Sequence, residues 1–348
     1  MERIKKLVRA NILSMEPYSS ARHESDLKNA IFLDANENPY GSLNRYPDPF
    51  QKELKKCVQE IKNVSIDQIC IGNGSDEIID LLMRVFCKPG TDKIAIFQPT
   101  YGMYEVAAAV NDVDLVKLDL TNYVNIPTTQ LSRLYNDSKI KVLFICSPNN
   151  PTGTIFPKEE IETILGQFNG IVVVDEAYVD FSESSLLDLI NSYDNLVVCQ
   201  TLSKAWGLAG ARIGMAFSNP FLISLLNKIK PPYNISTINQ NAAIKALQSI
   251  DKFNSNKENI LIEKNRLTNQ INDLDIVKKI YPSDANFLLI EFKEATKLFS
   301  YLKAHCIVVR NRSNVIPNCL RISIGTKNEN KKLIQTLKAY DEENTIYR

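Results

Sequence analysis

Histidine is almost missing from this chain: two residues, His23 and His305, among 348. They are far apart in sequence, so the pattern argues against a histidine-built metal centre and against a histidine-driven nucleophilic triad. Net charge is missing too. Forty-one Lys and Arg nearly cancel 40 Asp and Glu, leaving +1, so no global field draws the protein to nucleic acid or to an anionic membrane. Any anion it binds must be held by local groups. Seven cysteines are scattered at 57, 70, 87, 146, 199, 306 and 319, with no CxxC pair. Several sit in apolar runs such as "LFICS" and "LVVCQ", which reads as free buried thiols in a reducing compartment. No apolar run is long enough to span a membrane. The N-terminal "MERIKKLVRANILSMEPY" is charged and lacks a signal-peptide core, so the expected location is the cytoplasm. Neither GxGxxG nor a P-loop occurs, which counts against a nicotinamide-dependent dehydrogenase.

What is present is alternation. "QICIG", "KIAIFQ", "KVLFICS", "IVVVDEAY" and "LVVCQT" are β-rich and almost continuously apolar, as in strands buried on both faces of a parallel sheet. Helical patterns such as "SDEIIDLLMRVF" separate several of them. The reading is an α/β fold, a mostly parallel sheet flanked by helices, with a smaller α+β domain. Pro231 and Pro232 mark a change of texture. A long helical region over roughly 237–275 follows, then the short strands "ANFLLIEF", "CIVVRN" and "CLRISIG". The expected division is an N-terminal arm and part of the small domain over 1–45, a large domain over 46–245, and a small domain over 246–348.

Ligands of open parallel sheets bind beyond the carboxyl ends of the strands. Here each apolar run ends in polar or aromatic residues. The first runs into Gly74, Ser75 and Asp76 at a helix N-terminus, an anion cradle or simply a capped helix start. The second leads to Tyr101, the third to Asn150, the fourth to Asp175 and Tyr178, the fifth to Ser203 and Lys204. Lys204 lies in "TLSKAWGLAGARIG", among small and apolar residues, with Arg212 eight positions on. A lysine in that setting is expected to be poorly solvated, to lose its proton and to become a nucleophile toward carbonyls. Arg212 is expected to depress it further and to hold a phosphate. Asp175, at the end of an apolar strand, needs a cationic partner.

One small molecule uses all of these groups. Pyridoxal 5'-phosphate has an aldehyde for Lys204 and a phosphate for the cradle and Arg212. Its ring nitrogen suits Asp175, its phenolic oxygen suits Asn150 and Tyr178, and Tyr101 can stack on its ring. Lys204, Asp175 and Tyr178 are then the catalytic candidates, and no metal is called for.

"SPNNPTG", "VVVDEAYVDF" and "TLSKAWGLAGARIG", in this order, resemble the fold-type I pyridoxal-phosphate aminotransferases. With "PYSSARHES", "LDANENPYG", "LNRYPDP", "GNGSDEIID", "PTYGMY" and "LRISIGT", the chain resembles the histidinol-phosphate aminotransferase family over nearly its whole length. The resemblance implies that Gly74, Ser75, Asp76, Ser203 and Arg212 hold the cofactor phosphate. It implies a homodimer with shared active sites, in which Tyr46 reaches the cofactor of the partner subunit. Arg321 corresponds to the arginine that binds the substrate's anionic end, with Arg310, Tyr18, Arg22 and Asn36 in matching segments. Arg310 and Arg312 compete for one role in "RNRSNVIPN". The implied reaction exchanges an amino group between L-histidinol phosphate and 2-oxoglutarate. One arginine fork can bind a phosphate ester or a carboxylate, so Arg321 alone leaves open an aromatic amino-acid aminotransferase or a related phosphate-substrate decarboxylase. A non-catalytic pyridoxal-phosphate-binding regulatory module is the reading from another class; it would be expected to carry a basic helix-turn-helix, which the sequence lacks.

Overall fold

The computed structural model describes residues 2–17, 31–182 and 184–346. Its first layer is a seven-stranded sheet made of β1 (Ile69–Asn73), β2 (Lys93–Gln98), β3 (Asp114–Asp119), β4 (Ile140–Cys146), β5 (Ile171–Asp175), β6 (Leu196–Thr201) and β7 (Ile213–Phe217), in the order β1-β7-β6-β5-β4-β2-β3. The pairs β2–β3, β2–β4, β4–β5 and β5–β6 are parallel. β7 is antiparallel to both its neighbours. The nearly unbroken apolar runs follow from this position: β4, β5 and β6 are buried on both faces, because helices cover each side.

One face packs on helices that include Lys52–Lys62, Lys158–Gln167 and Thr237–Leu247. The other packs on Ser75–Phe86, Met103–Val110 and Pro220–Ile229. Ile4 and Ile12 of the two N-terminal helices (Glu2–Leu7 and Ala10–Ser14), with Val8 between them, belong to this second core. That differs from the grouping of the arm with the small domain. The apolar face of these short helices finds Ser75–Phe86 and Pro220–Ile229 instead, and Arg9 ties the segment down through its N–H to the Val85 carbonyl at 3.0 Å.

The second layer is a four-stranded antiparallel sheet of β8 (Val277–Ile280), β9 (Phe287–Phe292), β10 (Arg310–Asn311) and β11 (Cys319–Ser323), in the order β10-β11-β9-β8. Its outer face carries Leu288, Ile290, Leu320 and Ile322 into a separate core with the helices Ile250–Asn272, Ala295–Ala304 and Lys327–Ile346. The run "CIVVRN" yields only a two-residue strand. Cys306 adopts a left-handed φ of 58° and Val308 is 86% exposed, so the chain leaves its helix by a turn and joins the sheet edge late. Among the described residues, no helix is long and apolar enough to cross a membrane.

Close backbone approach decides one detail of the large sheet. A Cβ on Gly214 would lie 2.3 Å from the Gly74 carbonyl carbon and the Ser75 nitrogen. Both are backbone atoms at a helix start and cannot swing aside. Gly210, in the same segment, has nothing within 4 Å of its hypothetical Cβ. Gly214→Ala is therefore expected to destabilise the protein by about 2 kcal/mol or more, while Gly210→Ala stays within about 0.5 kcal/mol. Denaturant unfolding of the two variants side by side checks this, and equal midpoints would contradict it.

Candidate active site

Lys204, Asp175, Tyr178, Asn150, Tyr101, Ser75, Asp76, Ser203 and Arg212 line a single cavity at the carboxyl ends of the parallel strands, together with Cys146, Ala177 and Thr201. A larger cleft of about 860 Å³, with Glu176, Gln200 and Phe253 among its lining residues, contains neither Lys204 nor Asp175. It has volume without the convergent chemistry.

Asp175 ends β5 and is 2% exposed. Its Oδ2 accepts a hydrogen bond from the Tyr104 hydroxyl at 2.7 Å and its Oδ1 from the Ala177 N–H at 3.1 Å. Burial pushes its carboxyl above the usual range, against these two hydrogen bonds. Among the described residues it has no ion pair. Lys204 acts on it only from a distance, so no described side chain supplies, within ion-pair reach, the cationic partner that a strand-end aspartate requires. Tyr104 was not singled out in the sequence, although it lies three residues after Tyr101. It is fully buried, stacked on Phe144 with ring centroids 4.9 Å apart. Its position in the first turn of the helix after "PTYG" is the signal that could have found it.

Lys204 sits in the connection between β6 and β7. It is not buried in the way its sequence neighbours suggest: more than a third of its surface is open, because the side chain stands in the mouth of the cavity. Its amine is still held below the ordinary lysine value. Partial desolvation is the largest cause, and Arg321 is the next. Asp175 and Asp76 oppose the shift, and Arg212 contributes least among the named charges. The nearby cation that matters most is therefore Arg321, not the one eight residues away in sequence. The Nζ lies 5.4 Å from the centre of the Tyr178 ring.

The anion cradle is built from two segments. Gly74 has a left-handed φ of 77° and opens the helix Ser75–Phe86. Its N–H is taken up by the Arg212 carbonyl at 2.8 Å, so it contributes space more than a hydrogen bond. A Cβ there would meet the Arg212 guanidinium at 2.4 Å. Arg212 pairs with the Asp76 carboxylate at 3.2 Å, and the Tyr101 hydroxyl donates to the other Asp76 oxygen at 3.1 Å. The Ser203 and Thr201 hydroxyl oxygens are 3.0 Å apart, and Thr201 also donates to the Ile213 carbonyl at 3.0 Å and accepts from the Ser203 N–H at 3.1 Å.

Asn150 and Tyr178 meet as well. The Asn150 Nδ2 donates to the Tyr178 hydroxyl at 3.5 Å, and Arg321 donates to the Asn150 Oδ1. Arg321 lies over the Phe287 ring at 5.2 Å, and Tyr178 packs edge-on against the same ring at 5.1 Å. The small sheet thus delivers Arg321 to the large sheet's polar residues. Arg310 is paired opposite Arg321 in the ladder and lines a cleft with it. Tyr46 and Asn36 lie elsewhere: they share a surface cleft with Arg45 and Thr237, and Tyr46 stacks on Tyr233 at 4.4 Å. Tyr18 and Arg22 fall outside the described residues.

The model for the family described as aminotransferase class I and II matches residues 16–337. This chain belongs to that family. Within it, the curated relatives share nearly the full length. The histidinol-phosphate aminotransferase of Cytophaga hutchinsonii is 46% identical over 342 residues, covering 96% of this chain and 98% of that protein. That of Christiangramia forsetii is 46% identical over 347 residues, covering 98% and 99%. Among solved structures, the histidinol-phosphate aminotransferase from Clostridium acetobutylicum superposes with a TM-score of 0.79 at 26% identity, covering 86% of this chain and 92% of that one. The enzyme from Sinorhizobium meliloti, solved in complex with pyridoxal-5'-phosphate, gives 0.79 at 22% identity, covering 88% and 90%; at that identity the likeness speaks for the fold.

The ordering of charges around Lys204 has a measurable consequence. Removing the Arg321 charge relieves the second-largest cause of its depression, so the amine pKa rises and less of it is neutral at a given pH. In Arg321→Gln apoprotein, the pH midpoint for acylation of Lys204 by a neutral reagent, followed at its peptide by mass spectrometry, is expected to move upward. A midpoint that stays or falls would mean that Arg321 does not act on the amine.

Proposed function

We propose that this aminotransferase uses pyridoxal 5'-phosphate to exchange an amino group between L-histidinol phosphate and 2-oxoglutarate, giving imidazole acetol phosphate and L-glutamate, a step of histidine biosynthesis. The observation that carries the cofactor is the buried Asp175 carboxylate with two neutral donors and, among the described residues, no ion pair, in the same cavity as Lys204. A protonated ring nitrogen fits that vacancy of charge. When bound, pyridoxal phosphate supplies an electrophilic carbonyl carbon and an electron-accepting ring.

The chain's own residues take the remaining roles in this reading. Asp175 keeps the ring nitrogen protonated, and Tyr104 and the Ala177 N–H fix the carboxylate that does so. Asn150 and Tyr178 orient the phenolic oxygen. Tyr101 covers the ring. The backbone at Ser75 and Asp76, the Ser203 hydroxyl and the Arg212 guanidinium would hold the phosphate, with Gly74 leaving the space for it. Lys204, its amine held below the ordinary lysine value, would be the group that binds the aldehyde and that moves the proton at the substrate Cα.

The substrate assignment rests on Arg321, anchored through Asn150 beside Lys204, and on relatives at 44–46% identity that carry the histidinol-phosphate name. Arg310 is read as its companion on the anion; Asn36, Tyr18 and Arg22 are kept as substrate-side residues through the family resemblance. A homodimer belongs to the same reading. Tyr46, half exposed and lining a different cleft from that of Lys204, is read as serving the cofactor phosphate of the partner. The separate cores support a large unit over 46–245 and a small one over 246–348. The described free cysteines suit a reducing, cytoplasmic setting.

A half-reaction panel tests the reading. Offered separately, histidinol phosphate, phenylalanine, tyrosine and aspartate should convert the yellow holoenzyme to its amino form at very different rates, with histidinol phosphate fastest. Phenylalanine reacting as efficiently would remove the substrate assignment and leave the class. Lys204→Ala should lose the visible absorbance of the lysine-bound cofactor and at least about 10³-fold in turnover, with unchanged circular dichroism. A wild type that stays colourless with excess cofactor would sink the cofactor assignment itself.

A further inference from the structure

The inner face of the small sheet carries three arginines. Arg310 stands opposite Arg321 in the β10–β11 ladder, and the Arg312 N–H donates to the Cys319 carbonyl at 2.9 Å, extending the pairing one rung beyond the strand. Alternation along a strand then puts Arg310, Arg312, Arg321 and Cys319 on one face. The other face is the one that carries Leu320 and Ile322 into the helix-backed core. Arg321 shows where the arginine face looks, because it reaches Asn150.

Arg312 has no role yet in the site described above. It is half-buried, and its Nε is buried without a hydrogen-bond partner, as is that of Arg321. Its guanidinium is held below the ordinary value by burial first, then by Arg321 and Arg310. Among the described residues, the neighbouring charges that act on it are the two cations Arg321 and Arg310. Arg321 is likewise depressed by burial and by Arg310. The acid that lines the Arg310–Arg321 cleft, Glu329, is held by the Thr326 N–H at 2.7 Å and its hydroxyl at 2.6 Å. A half-buried cation beside two others, with no anion among the described residues to offset them, is unfavourable until an anion completes the group.

Three guanidiniums exceed what a carboxylate can use. One fork satisfies its two oxygens and single charge. A phosphate monoester presents three terminal oxygens and close to two charges, and so takes up further donors. We propose that Arg312 is a specificity-determining residue, the third guanidinium of the substrate-anion site, and that it favours a dianionic phosphate ester over a carboxylate. The proposal rests on the transaminase reading above and adds a residue to its anion site.

The test uses holoenzyme carrying Arg312→Gln or Arg312→Lys. In Arg312→Gln, kcat/KM for the histidinol phosphate half-reaction is expected to fall about tenfold or more, mostly through KM, and at least about fivefold further than kcat/KM for glutamate. Calorimetric binding of inorganic phosphate to the holoenzyme should weaken by about the same tenfold factor. Arg312→Lys should recover part of both, since it restores charge without the fork. Equal losses for the two substrates, or unchanged phosphate binding, would overturn the proposal and mark Arg312 as structural. A wild type that prefers phenylalanine to histidinol phosphate would defeat the substrate reading instead, and phosphate binding would still decide the role of Arg312.

Discussion

A buried carboxylate without a cation is the constraint around which this site is arranged. Asp175 is fixed by the end of β5, by the Tyr104 hydroxyl and by the Ala177 N–H, and burial raises its pKa. Removing a carboxylate from water and leaving it unpaired is costly. The fold tolerates it because β4 and β6 hold β5 in register on both sides and because Tyr104 is itself locked against Phe144. The other polar groups line the same cavity: the exposed Lys204, the buried Asn150 and Tyr178, and Arg212, which pairs with Asp76 at the start of its helix. A site with one uncompensated negative group and several surrounding cations suits a ligand with a cationic ring edge and anionic substituents.

The two sheets divide the chemistry. The large one carries the groups assigned to the cofactor, and the small one brings the arginines assigned to substrate. They meet at Asn150, which accepts from Arg321 and donates to Tyr178. This joint also couples the electrostatics, since Arg321 depresses the Lys204 amine more than Arg212 does. The arginine assigned to substrate thereby helps to hold the Lys204 amine below its ordinary value.

Much of this was legible in the sequence, for a physical reason. Parallel strands buried on both faces announce themselves as apolar runs, and their carboxyl ends share one edge, so Gly74, Tyr101, Asn150, Asp175 and Lys204 could be gathered before any fold was drawn. What stayed hidden depended on side-chain direction or on long-range packing. Tyr104 and Tyr101 are equally plain in "PTYGMY", and only the helix turn decides which meets Asp175. Lys204 looked buried from its neighbours, whereas a cavity mouth leaves it open. The apolar pattern of the first helices did not say which core they would join. "CIVVRN" reads as a full strand, but the turn at Cys306 shortens it, and the face shared by its arginines follows only from the ladder with β11.

The connection from β6 to β7 has a mechanical consequence. Lys204 and Arg212 hang from one antiparallel pair, in which Thr201 faces Gly214 and the Leu202 N–H donates to the Ile213 carbonyl at 3.0 Å. The two ends of a cofactor gripped there are held by a single stiff clip, whose length is set by backbone pairing. Arg321 rides on a different sheet. Any tilt of that sheet would change the reach to the substrate's anion while the clip kept its span. With the roles proposed above, the hold on a product and the hold on the group that is to be used again rest on separate sheets.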